Sequence, residues 1–179
     1  MVVTMRDDAI IETPRLRLVV LAASALEALR SHDHVTAARL QGFRFTDEFL
    51  ATVNDVFLSR QIEGQQRNPT SRGWYARGIV RRDDGALIGH CGFHGTPDDV
   101  GRAEIGYTVF EPYRRMGYAS EAAQGLVSWA RSQGSSTVFA SVSPENHASL
   151  ALVGRLGFQL SPTQSTRGAD EDLVFELRQ

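Results

Sequence analysis

The chain has 179 residues, 42% of them hydrophobic and 22% charged, with a formal net charge of −2. That length and composition fit one globular domain over residues 1–179, and the near-neutral balance excludes a strong field for nucleic acid or an anionic membrane. The 19 basic residues are all arginine, and the single cysteine, Cys91, excludes an internal disulfide and fits a reducing cytoplasm.

The first eight residues carry Asp7 and Asp8 and no apolar core, so no secretory leader is expected. Leu18–Ala23 is too short an apolar run to span a bilayer. The first strand is expected at Leu16–Leu21, where alternation runs into Val19-Val20-Leu21. Ser24 is placed to cap a short helix from Ala25 to about Ser31, and a second helical piece covers Val35–Leu40. A longer helix is expected at Asp47–Gln65, capped by Thr46, with Phe49, Leu50, Val53, Val56, Phe57 and Leu58 on its apolar stripe. Strands follow at Trp74–Arg81 and Leu87–Phe93, and Asp83-Asp84-Gly85 between them is a hairpin signal. A third strand, Ala103–Phe110, is closed by Pro112, which biases Glu111 toward extended geometry.

The segment after that strand is Arg114-Arg115-Met116-Gly117-Tyr118-Ala119-Ser120. It feeds a helix whose Ala119, Ala122, Ala123, Leu126, Val127 and Ala130 share one stripe, with Gly134 as the stop. Amides at such a helix start have no intrahelical acceptor and sit at the positive end of the helix dipole, where a pyrophosphate docks. Gly117 lets a phosphate approach a backbone that no Cβ obstructs. An ordinary strand-to-helix turn with solvated arginines is the competing reading. A β-rich run, Thr137–Ser143, comes next, then Asn146, a helix at His147–Leu156, Gly157-Phe158, a polar loop from Ser161 to Asp170 and a last strand, Leu173–Leu177.

The order predicts an antiparallel meander of three strands, then a helical crossover that pairs Ala103–Phe110 in parallel with Thr137–Ser143. The fold class is therefore α/β (α+β): a mixed, largely antiparallel central sheet with helices on both faces.

Three segments carry a family resemblance: Glu12–Leu18, Ala103–Ala123 and Ser141–Phe158. The middle one matches a Gln/Arg-x-x-Gly-x-Gly/Ala loop, and the last an Asn-x-x-Ser…Leu-Gly-Phe pattern. Together they resemble the GNAT superfamily of acyl-CoA-dependent N-acetyltransferases, and within it the branch of ribosomal-protein N-terminal acetyltransferases. The resemblance implies the GNAT fold, with its two central parallel strands splayed apart to admit pantetheine.

It also implies roles. Acetyl-CoA is the co-substrate, with no metal, and the acceptor is an amine on a protein N-terminus or a small molecule. Arg114, Arg115, Met116, Gly117, Tyr118, Ala119 and Ser120 would hold the diphosphate. Thr108, Val109 and Phe110 would line the pantetheine slot, with a main-chain N–H near Phe110 on the thioester carbonyl; core packing of Val109 and Phe110 is compatible with this. Asn146 matches a CoA-contacting asparagine and is equally suited to cap the helix after it. Ser149 matches a hydroxyl that protonates the departing thiolate, or it bonds back to its own helix. The chain departs from a common family pattern at Ser141, where some members carry a carboxylate, and at Val153, where many carry a tyrosine acid. Glu104 matches a glutamate base used by other members. Six residues separate it from Phe110, about 20 Å in an undistorted strand, so a water relay or distortion would be needed. A structural glutamate at the end of the sheet is the alternative.

His90 and His94 would stand about 13 Å apart in a strand, too far for one zinc. Cys91 has no paired base in the sequence. Tyr107 and Tyr118 could donate protons, but Tyr107 alternates with the face of Glu104, which favours sheet packing. A nucleotide-binding loop would end in Gly-Lys-Ser/Thr, which is absent. A non-catalytic acyl-CoA-binding or sensor module is the alternative to an enzyme.

Overall fold

The computed structural model describes residues 9–161 and 172–178. Residues 1–8 and most of the polar stretch from Ser161 to Asp170 lie outside that description. Among the described residues eight strands form one sheet: β1 (Ile10–Glu12), β2 (Leu16–Val20), β3 (Arg77–Arg81), β4 (Leu87–Phe93), β5 (Arg102–Val109), β6 (Thr137–Val142), β7 (Gln159–Leu160) and β8 (Leu173–Arg178). Their spatial order is β1-β2-β3-β4-β5-β6-β8-β7. All neighbours pair antiparallel except β5 with β6, which are parallel across the helical crossover.

Six helices cover the sheet: α1 (Ala23–Arg30), α2 (His34–Gln41), α3 (Asp47–Thr52), α4 (Asp55–Arg67), α5 (Tyr118–Ser132) and α6 (His147–Arg155). The stripe expected on α5 is the one it buries: Ala122, Ala123, Leu126, Val127 and Ala130 pack with Leu16, Leu18, Ile79, Ala103, Ile105 and Val109. The opposite face is covered by α1–α4 through Leu26, Leu29, Phe49, Leu58 and Ile62, which reach Val80, Leu87 and Phe110. Alternate β5 residues thus feed different layers, as pleating requires.

The helix expected at Asp47–Gln65 is two helices. Thr46 does cap the first, accepting from the Phe49 N–H at 3.3 Å. The chain then turns extended at Val53, and the Asn54 side chain accepts from the Phe57 N–H at 2.8 Å, opening α4. A cap residue inside an apolar stripe offers the backbone a competing bond, and here it wins. The first helix starts earlier than expected, with Ala22 rather than Ser24 at its cap position. The stretch expected to begin β3 at Trp74 is a 3-10 turn, Pro69–Trp74.

The parallel β5–β6 register runs only from Arg102↔Thr137 to Glu104↔Phe139. Beyond it each strand stays with its other neighbour: β5 with β4 as far as Val109↔Gly89, and β6 with β8 as far as Val142↔Leu173. The two strands therefore part, and the opening begins at Glu104.

Candidate active site

The gap between β5 and β6 is a cavity of about 330 Å³, walled by Tyr107 and Thr108 on one side and Ala140, Ser141 and Val142 on the other, with Asn146 and Ser149 of α6 at its rim. Glu104 lies at the vertex. The Ser141 hydroxyl donates to its Oε1 at 2.6 Å, and His94 Nδ1 stands 3.4 Å from its Oε2. The serine that replaces a family carboxylate is thus a bond donor to the carboxylate on the neighbouring strand. The Glu104 side chain is 16% exposed.

The ladder decides which amides face the gap. Phe110 N–H donates to Ile88 at 2.9 Å and His94 N–H to Glu104 at 3.0 Å, so even-numbered β5 residues spend their backbone groups on β4. Odd-numbered residues turn theirs toward β6, and past Glu104 that strand is gone. The main-chain donor expected near Phe110 is therefore not Phe110 itself; its N–H is already bonded. Val109 and Tyr107 present theirs to the gap. Phe110 is a buried wall under α3 and α4, and Thr108 pairs with His90.

Downstream, the Arg114 Nε donates to the Val109 carbonyl at 3.0 Å, folding that side chain back onto the strand end. Arg115 and Gly117 both have positive φ, 63° and 82°. This alternation is the backbone pattern of an amide nest, and Tyr118, Ala119 and Ser120 supply first-turn N–H groups that have no intrahelical acceptor. The first intrahelical bond is Glu121 N–H to Gly117 at 3.1 Å. Met116 is exposed, and its carbonyl accepts from Arg15 Nη1 at 3.0 Å.

Sequence reasoning missed what holds this loop. Glu121 accepts from the Thr13 hydroxyl (2.6 Å), the Arg15 N–H (2.7 Å) and the Arg15 Nε (2.7 Å). The Arg15 guanidinium also lies over the Tyr118 ring at 4.6 Å. Burial pushes the Glu121 carboxyl up, but these donors outweigh it and hold the group below its ordinary range. Glu12–Leu18 thus contributes a clasp across the start of α5. Its only trace in sequence is that the segment belongs to the family pattern.

On α6, Asn146 caps the helix, accepting from the Ser149 N–H at 3.1 Å, while also bordering the cavity. The cap leaves Asn146 at the cavity's rim. Ser149 is half-buried and borders the cavity rather than lying sealed in the core. Tyr107 is not only sheet packing. It does lie on the face opposite Glu104, yet parted strands open both faces of β5 to the cavity. Burial raises its hydroxyl pKa and Ser149 pulls the other way; the hydroxyl has no partner at full hydrogen-bond geometry.

His90 and Cys91 differ from what exposure in a strand would give. The His90 ring is caged by Phe49 and Phe57, and burial pushes its pKa down to about 4. Thr52 donates its hydroxyl to Phe49 (2.8 Å), so at 3.2 Å it accepts from the His90 Nε2–H, which fixes the tautomer. Burial drives the Cys91 thiol up to about 12, with Arg77 pulling weakly against it, so it stays protonated and is no nucleophile. Among the described residues no group of three or more His, Cys, Asp or Glu could hold a metal, and no helix is long and apolar enough to cross a membrane.

This geometry has known relatives. Residues 15–159 match the family described as Acetyltransferase (GNAT) domain. The chain belongs to the GNAT acetyltransferases. The uncharacterized N-acetyltransferase YjdG of Bacillus subtilis is 32% identical to this GNAT chain over 153 residues, 85% of this chain and 90% of its own length. An acetyltransferase from Agrobacterium tumefaciens superposes with a TM-score of 0.65 at 26% identity, covering 100% of this chain and 98% of the other. The RimL ribosomal alpha-N-protein acetyltransferase in complex with coenzyme A shares the fold, at 19% identity and a TM-score of 0.64 over 94% and 97% of the two chains. The mixed sheet and its parted parallel strands are the GNAT fold, and the protein is an acetyltransferase.

Proposed function

We propose that this GNAT protein transfers the acetyl group of acetyl-CoA to a primary amine, on a protein N-terminus or a small molecule, by direct attack on the thioester. The observation that carries this reading is the cavity between β5 and β6, two of whose wall residues, Ser141 and His94, contact the Glu104 carboxylate behind them. The nest from Arg115 to Ser120 suits the diphosphate, by its main-chain N–H groups and the helix dipole. Pantetheine then lies along the open edge of β5. The thioester carbonyl accepts from the Val109 or Tyr107 N–H, a donor that strengthens as negative charge gathers on that oxygen. Tyr107 is three residues from Glu104, about 10 Å along a strand, half the separation set by Phe110.

Glu104 removes a proton from the incoming ammonium, since a free amine is mostly protonated near neutral pH. Its bond from Ser141 fixes the carboxylate's orientation. Ser149 donates to the departing thiolate, whose conjugate acid titrates near ~8.5. Tyr107, beside it with an unpartnered hydroxyl, can resupply that proton. The single cysteine, which leaves no internal disulfide to form, suits a reducing, cytoplasmic setting.

The test is thermal stabilisation by acetyl-CoA and CoA, followed by free-thiol release with a panel of unblocked peptides and small primary amines. Saturable stabilisation and thiol release with at least one amine are expected. Binding without turnover on any amine overturns the enzyme reading in favour of an acyl-CoA sensor.

A further inference from the structure

Resting on the acetyl-transfer reading above, we infer that His94 is the outlet through which the acceptor's proton passes from Glu104 to solvent. A shielded carboxylate that collects one proton per turnover must return it to water before the next. Glu104 Oε1 is engaged by the Ser141 hydroxyl, which borders the cavity and leads back into it. Oε2 faces His94 Nδ1 at 3.4 Å. The His94 side chain is 53% exposed, against 16% for Glu104.

His94 is also where two cavities meet. It borders the gap between β5 and β6, and it borders a second, outer cavity of about 690 Å³ between α4 and the residues that follow β4. The outer cavity carries charges of both signs: Asp55, Glu63, Arg60 and Arg67 on α4. Room for the imidazole comes from Gly106, where a Cβ would meet His94 Nε2 at 2.9 Å. With that position bare, the ring lies across β5 beside the carboxylate.

The steps balance without any co-reactant. An N–H bond of the acceptor ammonium breaks as Glu104 gains the proton; the neutral amine attacks, the C–S bond breaks, and a second N–H proton passes by way of Tyr107 and Ser149 to the departing thiolate. The Glu104 O–H bond then breaks as His94 Nδ1 gains a proton. The imidazolium loses a proton to water in the outer cavity, and exchange with that water resets the tautomer. One proton has moved from amine to solvent.

The experiment uses acetyl-CoA with the best acceptor from the amine panel. His94→Ala leaves acetyl-CoA binding by calorimetry unchanged and lowers kcat by about tenfold or more, within the range of proton-transfer contributions. Added imidazole restores turnover, and substituted imidazoles restore it in order of basicity. A ring needed only as filler gives no such order. Gly106→Ala keeps both groups but moves the imidazole off Glu104. Its kcat falls too, and the double variant falls no further than His94→Ala. Wild-type kcat in His94→Ala, or rescue independent of basicity, overturns the relay alone. A wild-type protein that binds acetyl-CoA yet acetylates no amine overturns the acetyl-transfer reading and the relay with it.

Discussion

His90→Phe makes the fold less sensitive to mild acid. His90 sits 5.7 Å from the Phe49 centroid and 5.5 Å from that of Phe57, and burial holds its pKa at about 4 against an ordinary 6.5. The unfolded chain therefore takes up a proton below about pH 6.5 that the folded chain refuses until about pH 4. Stability is complete above the unfolded value, falls as pH drops through that window, and levels off below the folded value. Each pH unit inside the window is worth about 1.4 kcal/mol. The loss from this one residue is about 2 kcal/mol between about pH 7 and about pH 5, and about 3 kcal/mol by about pH 4. Phenylalanine keeps the ring contacts and removes the proton site, and the exposed Thr52 finds water instead. Urea unfolding of both proteins at about pH 7 and about pH 5 measures the difference, since carboxylate titration is common to both and cancels. The wild-type protein should lose about 2 kcal/mol more than the variant; parallel losses refute the reasoning.

Glu104→Gln should lower kcat/KM by roughly 10²- to 10⁴-fold with the Kd for acetyl-CoA unchanged, and activity within about twofold of wild type across the pH range removes Glu104 from the role of base. Gly117→Ala places a Cβ on a backbone with φ of 82°, 3.3 Å from Arg15 Nη2. The strain is ~1–2 kcal/mol, so calorimetry should show acetyl-CoA binding weakened by roughly tenfold as the nest distorts; an unaltered Kd argues against the nest. Cys91, buried and protonated, should resist a thiol reagent in the native protein and release one equivalent on unfolding. Rapid labelling of the folded chain contradicts its placement.

Much of the loop proposed to hold the cofactor was legible from short-range pattern. The stripe from Ala119 to Ala130, the stop at Gly134 and the position of Gly117 each follow from residues within a few turns of one another. The acceptor end was not. In the sequence His94 reads only as a failed metal ligand and Glu104 as a distant base; they meet because β4 and β5 pair antiparallel and Gly106 leaves room between them. Ser141 reads in the sequence as a missing carboxylate, and only the parallel pairing of β5 with β6 sets its hydroxyl against Glu104. The break at Asn54 is hidden because its apolar neighbours continue the helical stripe while one side-chain bond starts a new helix.

By itself the sequence determined β2 to β6 and β8, the crossover helix and the glycine turn before it, since pleat, helical period and backbone freedom are properties of adjacent residues; the short strands β1 and β7 exist only through pairing with their neighbours. Tertiary structure decided where β5 and β6 part company, which amides that leaves unspent, and how Thr13 and Arg15 clasp Glu121. Those outcomes hinge on how far each strand stays with its outer neighbour, a competition between hydrogen-bond ladders distant in the chain that no local window contains.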